Sequence, residues 1–168
     1  MYKQLETERL VIRPINLSDS DFILKLVNSE GWLEFIGDRK VRDKSDAEKY
    51  IQKILDNEGF FYSVFELRKT NKAIGLVTFL NRENHSHPDI GFALLPDFEK
   101  KGYAFEACKK YLDEIISSDN YENVLGITMP HNKKSIRLLK KLGLHYQYDY
   151  YQSDELLSLY SLKKINSR

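Results

Sequence analysis

The sequence predicts a mixed α/β (α+β) domain built on a partly antiparallel central sheet. Two observations carry this. Strand-like runs come in hairpin pairs, at Phe60–Leu67 with Ala73–Leu80 and at Leu144–Tyr151 with Glu155–Leu162. Two further strands, Asp89–Leu95 and Val124–Met129, each feed a helix through a short loop. Hairpins give antiparallel neighbours, whereas strand–helix crossovers give parallel ones, so both must coexist in one sheet.

Taken in order, Leu10–Ile15 is a short strand whose exit is marked by Arg13 and Pro14. Ser18 with Asp19 and Asp21 signals a helix start, and Phe22, Ile23, Leu26 and Val27 recur at helical spacing. Gly31 to Asp38 reads as an irregular aromatic connection holding Trp32 and Phe35. Ser45 followed by Glu48 has the capping-box spacing, ahead of an apolar face of Tyr50, Ile51, Ile54 and Leu55. After the first hairpin, a polar loop from Asn81 to Pro88 leads to the central strand. Tyr103 to Ser117 then buries Ala104, Ala107, Cys108, Tyr111, Leu112 and Ile115, with charged residues opposite. The next strand ends at Pro130, a helix runs from Asn132 to Leu142, and Gly143 stops it.

A chain of 168 residues, 42% hydrophobic and 30% charged, fits one soluble domain spanning 1–168. Its formal net charge of +1 gives no electrostatic reason to expect nucleic acid or an anionic membrane as partner. The single Cys108 excludes an intrachain disulfide framework, and the first eight residues lack the apolar core of a secretory signal. No stretch has the length and apolarity of a membrane span. These features point to a cytoplasmic protein, monomeric or homodimeric.

The densest chemistry lies between Asp89 and Ile116. The loop Asp97-Phe98-Glu99-Lys100-Lys101-Gly102 precedes a helix, whose N-terminus offers unpaired N–H groups and a partial positive charge. Gly102 would let an anion approach the backbone, and Lys100 and Lys101 add charge beside it. An ordinary strand-to-helix turn is the plain alternative. In the second unit Asn132 is suited either to cap its helix or to donate its amide to a ligand lying between the units. Parallel strands that diverge leave a crevice at their carboxyl ends where ligands bind.

The strand IGFALLP, the loop FEKKGYAFEA and the later NKKSIRLLKKLGL closely resemble the Gcn5-related N-acetyltransferases (GNAT). The opening TERLVIRP resembles the branch containing the ribosomal-protein N-terminal acetyltransferases, the RimJ/RimL-like enzymes. The resemblance implies acetyl-CoA as cosubstrate and a strongly bent, mixed seven-stranded sheet flanked by about four helices, with splayed central parallel strands. It assigns diphosphate binding to the backbone of Lys100, Lys101, Gly102, Tyr103 and Ala104, and pairing with the pantetheine arm to Phe92, Ala93, Leu94 and Leu95. Glu99 departs from the pattern, standing where the family usually carries Gln or Arg.

The family mechanism is direct attack of an amine in a ternary complex, so Cys108, on the apolar helix face, is not expected to be a nucleophile. The oxyanion donor is expected among the backbone N–H groups near Phe92 to Leu94. The tyrosine that many relatives use as leaving-group acid falls at Leu139 and is absent. Ser135 occupies the position of a serine near the coenzyme sulfur in the N-terminal acetyltransferases. It is expected either to donate to the departing thiolate or to bond its own backbone.

Asp89 and Glu83 are the best-placed carboxylates for a base, with a structural or solvated role as the alternative. Trp32 and Phe35 either line the acceptor site or plug the space beneath a loop, and Tyr148, Tyr150 and Tyr151 are candidates for the same cleft. His85, Ser86, His87 and Asp89 lack a third ligand at defined spacing, and no metal is expected. The expected reaction is acetylation of a primary amine, on a protein N-terminus or on a small molecule such as a polyamine, aminoglycoside or amino acid. A non-catalytic acyl-CoA-binding module is the alternative of another class.

Overall fold

A computed structural model describes residues 3–163. Residues 1–2 and 164–168, which the single-domain reading includes, lie outside the described residues. The strands are β1 (Leu5–Glu6), β2 (Leu10–Pro14), β3 (Phe60–Leu67), β4 (Lys72–Leu80), β5 (Asp89–Leu94), β6 (Asn123–Thr128), β7 (His145–Gln152) and β8 (Glu155–Lys163). The helices are α1 (Ser20–Val27), α2 (Glu30–Phe35), α3 (Lys44–Leu55), α4 (Tyr103–Ser117) and α5 (Lys133–Lys141).

All strands join one sheet in the order β1-β2-β3-β4-β5-β6-β8-β7, and every neighbouring pair is antiparallel except β5–β6. The sheet is bent and mixed, as expected, and the described residues hold eight strands rather than seven and five α-helices rather than about four. The additional strand is the two-residue β1, which pairs Leu5 with Ile12 and Glu6 with Val11 and buries Leu5 in the core on the α4 side. The additional helix, α2, occupies the segment read as irregular.

Strand alternation divides the core between the two faces. Phe65, Val77 and Phe79 pack with Ala107, Cys108, Tyr111, Leu112 and Ile115 of α4, and with Leu139 of α5. Val64 and Leu76 point the other way, into Ile23, Leu26, Trp32, Ala47 and Ile51 from α1–α3.

Two helix starts differ from the sequence reading. Asn16, not Ser18, opens the first helical region: its side chain accepts from Ser18 N–H, in a capping box with Asp19 around a 3-10 turn that precedes α1. Helix α3 is capped by Asp43, which accepts from Asp46 N–H, so Ser45 lies inside the first turn and makes no box with Glu48. Asp and Ser are comparable caps, and the upstream carboxylate took the position.

Candidate functional site

The parallel pair β5–β6 meets at one register position, Asp89 opposite Leu125, where Leu125 N–H donates to the Pro88 carbonyl at 2.8 Å. Beyond that point the two strands are not paired with each other. Strand β5 bonds β4 on its other edge, and β6 bonds β8. Leu95 N–H donates to Ile74 O at 2.9 Å, so odd-numbered residues of β5 direct their backbone toward β4. Alternation then turns the N–H and C=O groups of Ile90, Phe92 and Leu94 toward β6; Ile90 N–H completes the one parallel bridge, and the groups of Phe92 and Leu94 face the gap. Their edge can accept an extended chain as a further strand would. The side chains of Phe92 and Leu94 pack on the α4 face, and those of Ala93 and Leu95 on the face of α1–α3.

At the open end of β5 a 3-10 turn, Pro96–Phe98, leads into the loop before α4. Lys100 and Gly102 both adopt left-handed backbone, at φ +61° and +82°. Gly102 is the N-cap of α4 and supplies no side chain to the helix start. The N–H groups of Gly102, Tyr103 and Ala104 find no acceptor among the described residues. A four-turn helix thus points free donors at the mouth of the gap.

The two lysines contribute less than their charge suggests. Lys101 turns back to donate to the Asp97 carbonyl at 3.3 Å, and Lys100 is exposed. Glu99 is held by Lys134 of α5 at 2.6 Å, which neutralises the unusual acid and links the two strand–loop–helix units. As a largely exposed pair it adds about 1 kcal/mol at most.

On the far side of the gap, Asn132 caps α5, its Oδ1 accepting from Ser135 N–H at 3.2 Å. The Ser135 hydroxyl is half-buried and makes no hydrogen bond among the described residues, so the backbone-bonded alternative is not what the structure holds. Leu139, at the position where the family resemblance leads one to expect a tyrosine, is buried against β6. A Cβ on Gly126 would come within 2.6 Å of Leu139 Cδ2, so the helix packs on the strand at the distance a glycine permits. The His131 ring, just before the cap, meets Phe35 from α2 in a tilted contact, centroids 5.4 Å apart. Phe35 is half-buried, but Trp32 is in the core, 6% exposed, and its indole N–H has no partner among the described residues.

Asp89 stands where the strands part. It is 3% exposed and bonded to Arg82 at 2.6 and 3.4 Å. Burial pushes its carboxyl above the usual range, against the opposing pull of Arg82. Glu83 is exposed in the β4–β5 loop and makes no ion pair among the described residues. His85, from the same loop, hydrogen-bonds the Tyr150 hydroxyl at 3.2 Å. On β3, Tyr62 hydrogen-bonds Tyr50 of α3, and burial raises both hydroxyls. The cluster of Arg82, Asp89, His85, Tyr150 and Tyr62 escaped the sequence reading as a unit. No local spacing joins a loop arginine to tyrosines from β3 and β7.

Cys108 is fully buried and burial drives its thiol well above the ordinary value, which removes it from nucleophilic use. Among the described residues no three His, Cys, Asp or Glu side chains gather to hold a metal, and no helix is long and apolar enough to cross a membrane.

Comparison with known proteins agrees with this geometry. Residues 9–145 match the family model described as acetyltransferase (GNAT) domain. The uncharacterized N-acetyltransferase YnaD of Bacillus subtilis (strain 168) is 25% identical over 140 residues, 83% of this chain and 81% of its own. Ribosomal-protein-S5-alanine acetyltransferase from Vibrio fischeri superposes with a TM-score of 0.81 at 20% identity, covering 99% of each chain. RimL, a ribosomal L7/L12 α-N-protein acetyltransferase solved in complex with coenzyme A, gives 0.82 at 12% identity, covering 96% of this chain and 98% of its own. At such identities the structural likeness establishes the fold, and the family match establishes the chemistry class. The chain therefore belongs to the GNAT acetyltransferase family and is an acetyl-CoA-dependent acyltransferase.

Proposed function

We propose that this enzyme acetylates a primary amine of low basicity, with the α-amine of a protein or peptide as the acceptor class. The observation that carries the reading is the single-point pairing of β5 with β6, which leaves the edge of Phe92 and Leu94 unpaired beside an uncapped helix start. Acetyl-CoA supplies the activated acetyl group. The free amides at Gly102, Tyr103 and Ala104 fit its diphosphate, and the β5 edge fits its pantetheine arm. The inward N–H of Phe92 or Leu94 serves as donor to the thioester oxygen as it gains charge. Ser135, with an unengaged hydroxyl, is assigned to donate to the sulfur as the C–S bond breaks.

The acceptor class follows from the carboxylates. Asp89 is engaged by Arg82, which makes it a poor free base and an organising residue at the closed end of the gap. Glu83 is solvent-facing. With no strong base in reach, a neutral amine must come from solvent equilibrium. At pH 7 about 10% of an α-amine is neutral, against roughly 0.04% of a lysine amine. Likeness in fold to ribosomal-protein N-terminal acetyltransferases is consistent with this class. Phe35, in contact with His131, borders the acceptor side. Trp32 supports it from the core.

Thiol release from acetyl-CoA, followed across peptides with free N-termini, polyamines and aminoglycosides, tests the reading. Peptides should turn over with the highest kcat/KM. Turnover confined to polyamines or aminoglycosides would replace the acceptor class, and coenzyme binding without turnover of any of the three would move the acceptor outside them all. Ser135→Ala is expected to lower kcat about tenfold while the KM for acetyl-CoA stays within about twofold. Unchanged kcat would remove Ser135 from the reaction.

A further inference from the structure

We propose that Arg9 is a positioning residue for coenzyme binding, orienting the amides of the loop before α4 from outside the gap. This rests on the reading of that loop as the diphosphate site. Arg9 precedes β2 and makes four contacts around the helix start. Its Nη1 donates to the Lys101 carbonyl at 3.0 Å, and its Nε donates to Glu106 at 2.6 Å. Its backbone N–H donates to the same carboxylate at 3.0 Å, and its guanidinium lies 4.4 Å over the Tyr103 ring. Thr7 completes the arrangement, its hydroxyl donating to Glu106 at 2.6 Å.

The consequence follows from peptide geometry. The Lys101–Gly102 peptide is planar and trans, so its C=O and N–H point in opposite directions. Fixing the Lys101 carbonyl outward on Arg9 turns the Gly102 N–H the other way, and that N–H has no acceptor among the described residues. Lys101 Nζ on the Asp97 carbonyl and Lys134 on Glu99 hold the loop through side chains, but neither is a restraint on the Lys101–Gly102 peptide itself. Arg9 supplies one from 92 residues away. It has a second effect: Glu106 places a carboxylate in the first turn of α4, beside the expected anion, and Arg9 neutralises it. The planar fork of arginine serves both partners at once, which a lysine ammonium cannot do with the same geometry.

The test separates positioning from charge. Acetyl-CoA binding by calorimetry, thermal melting, and amide exchange at Gly102 in the ligand-free protein are measured for wild type, Arg9→Lys, Arg9→Ala and Arg9→Ala/Glu106→Gln. Arg9→Ala is expected to raise the Kd about tenfold and Arg9→Lys about threefold, with kcat at saturating coenzyme within about twofold. Gly102 amide exchange should accelerate in both, with no coenzyme present. The double variant, which removes the acid along with its partner, should stay weak. If it binds like wild type, neutralisation is the whole effect and positioning is wrong. Unchanged Kd and exchange in Arg9→Lys and Arg9→Ala would likewise overturn the proposal. If Arg9→Ala does not fold, Arg9→Lys decides. A wild-type protein that binds no coenzyme would instead overturn the loop assignment itself.

Discussion

Gly102→Glu is expected to raise the Kd for acetyl-CoA by at least about 100-fold while the protein remains folded. Two effects add. The residue sits at φ +82°, where any side chain brings about 1–2 kcal/mol of backbone strain. Its relief would reorient the peptide whose amide faces the ligand. The new carboxylate would also lie at the start of α4, where a diphosphate is expected. Like charges about 5 Å apart at an effective dielectric of 20 repel by about 3 kcal/mol. Together these exceed the roughly 2.7 kcal/mol that separates Kd values a hundredfold apart.

Space is not the obstacle. A Cβ there would meet only Arg9 Nη2, at 3.4 Å, an ordinary contact. Gly102→Ala therefore isolates the strain and should cost about tenfold or less. Calorimetry on both variants, with melting curves alongside, checks the pair. A glutamate variant whose Kd stays within threefold of wild type would remove this loop from the coenzyme site.

Such local features were legible in the sequence because their causes are local. Proline and glycine punctuation bounded β5 and α4. The apolar positions from Ala107 to Ile115 fixed the buried face of α4, and Asn132 announced the cap of α5. Where two equally good signals competed, as Asp43 and Ser45 did, spacing could not rank them.

What is missing from the sequence is held by partners remote in the chain. Strand β1 is two residues long and is defined by its pairing with β2 and the burial of Leu5 on the α4 side. His85 meets Tyr150, 65 residues further on, because the β4–β5 loop folds against β7. Trp32 and Phe35 share one short helix, yet one enters the core and the other reaches His131. Their identical aromatic character could not separate them. The opening between β5 and β6 is the clearest case. Each strand is readable alone, but divergence after one register position is a property of the assembled sheet.

Arg82→Leu is expected to cost about 2–3 kcal/mol of stability at neutral pH and to lower turnover. Asp89 is buried, so losing its partner strands a carboxylate where water cannot solvate it. Breaking a fully buried pair costs about 3–5 kcal/mol, and the smaller figure here reflects the Arg82 side chain, 36% exposed. Burial already holds the Asp89 carboxyl above its ordinary value, and removing the opposing arginine must raise it further. The sign of the pH dependence then follows. Between the raised folded value and the ordinary carboxylate range, the folded state binds more protons than the unfolded, so stability rises as pH falls through that window. The deficit of Arg82→Leu against wild type should be largest near pH 7.5 and shrink toward pH 4.5 in urea titrations.

The double variant Arg82→Leu/Asp89→Asn carries no stranded charge and should recover part of the loss, giving a favourable coupling between the two positions. Turnover should not recover with it. The pair fixes Asp89 where β5 and β6 part, and on the proposed assignment an altered closed end would displace the acetyl group relative to the Phe92 and Leu94 amides. A deficit independent of pH would mean that the lost packing of the arginine stem, rather than the orphaned carboxylate, sets the cost.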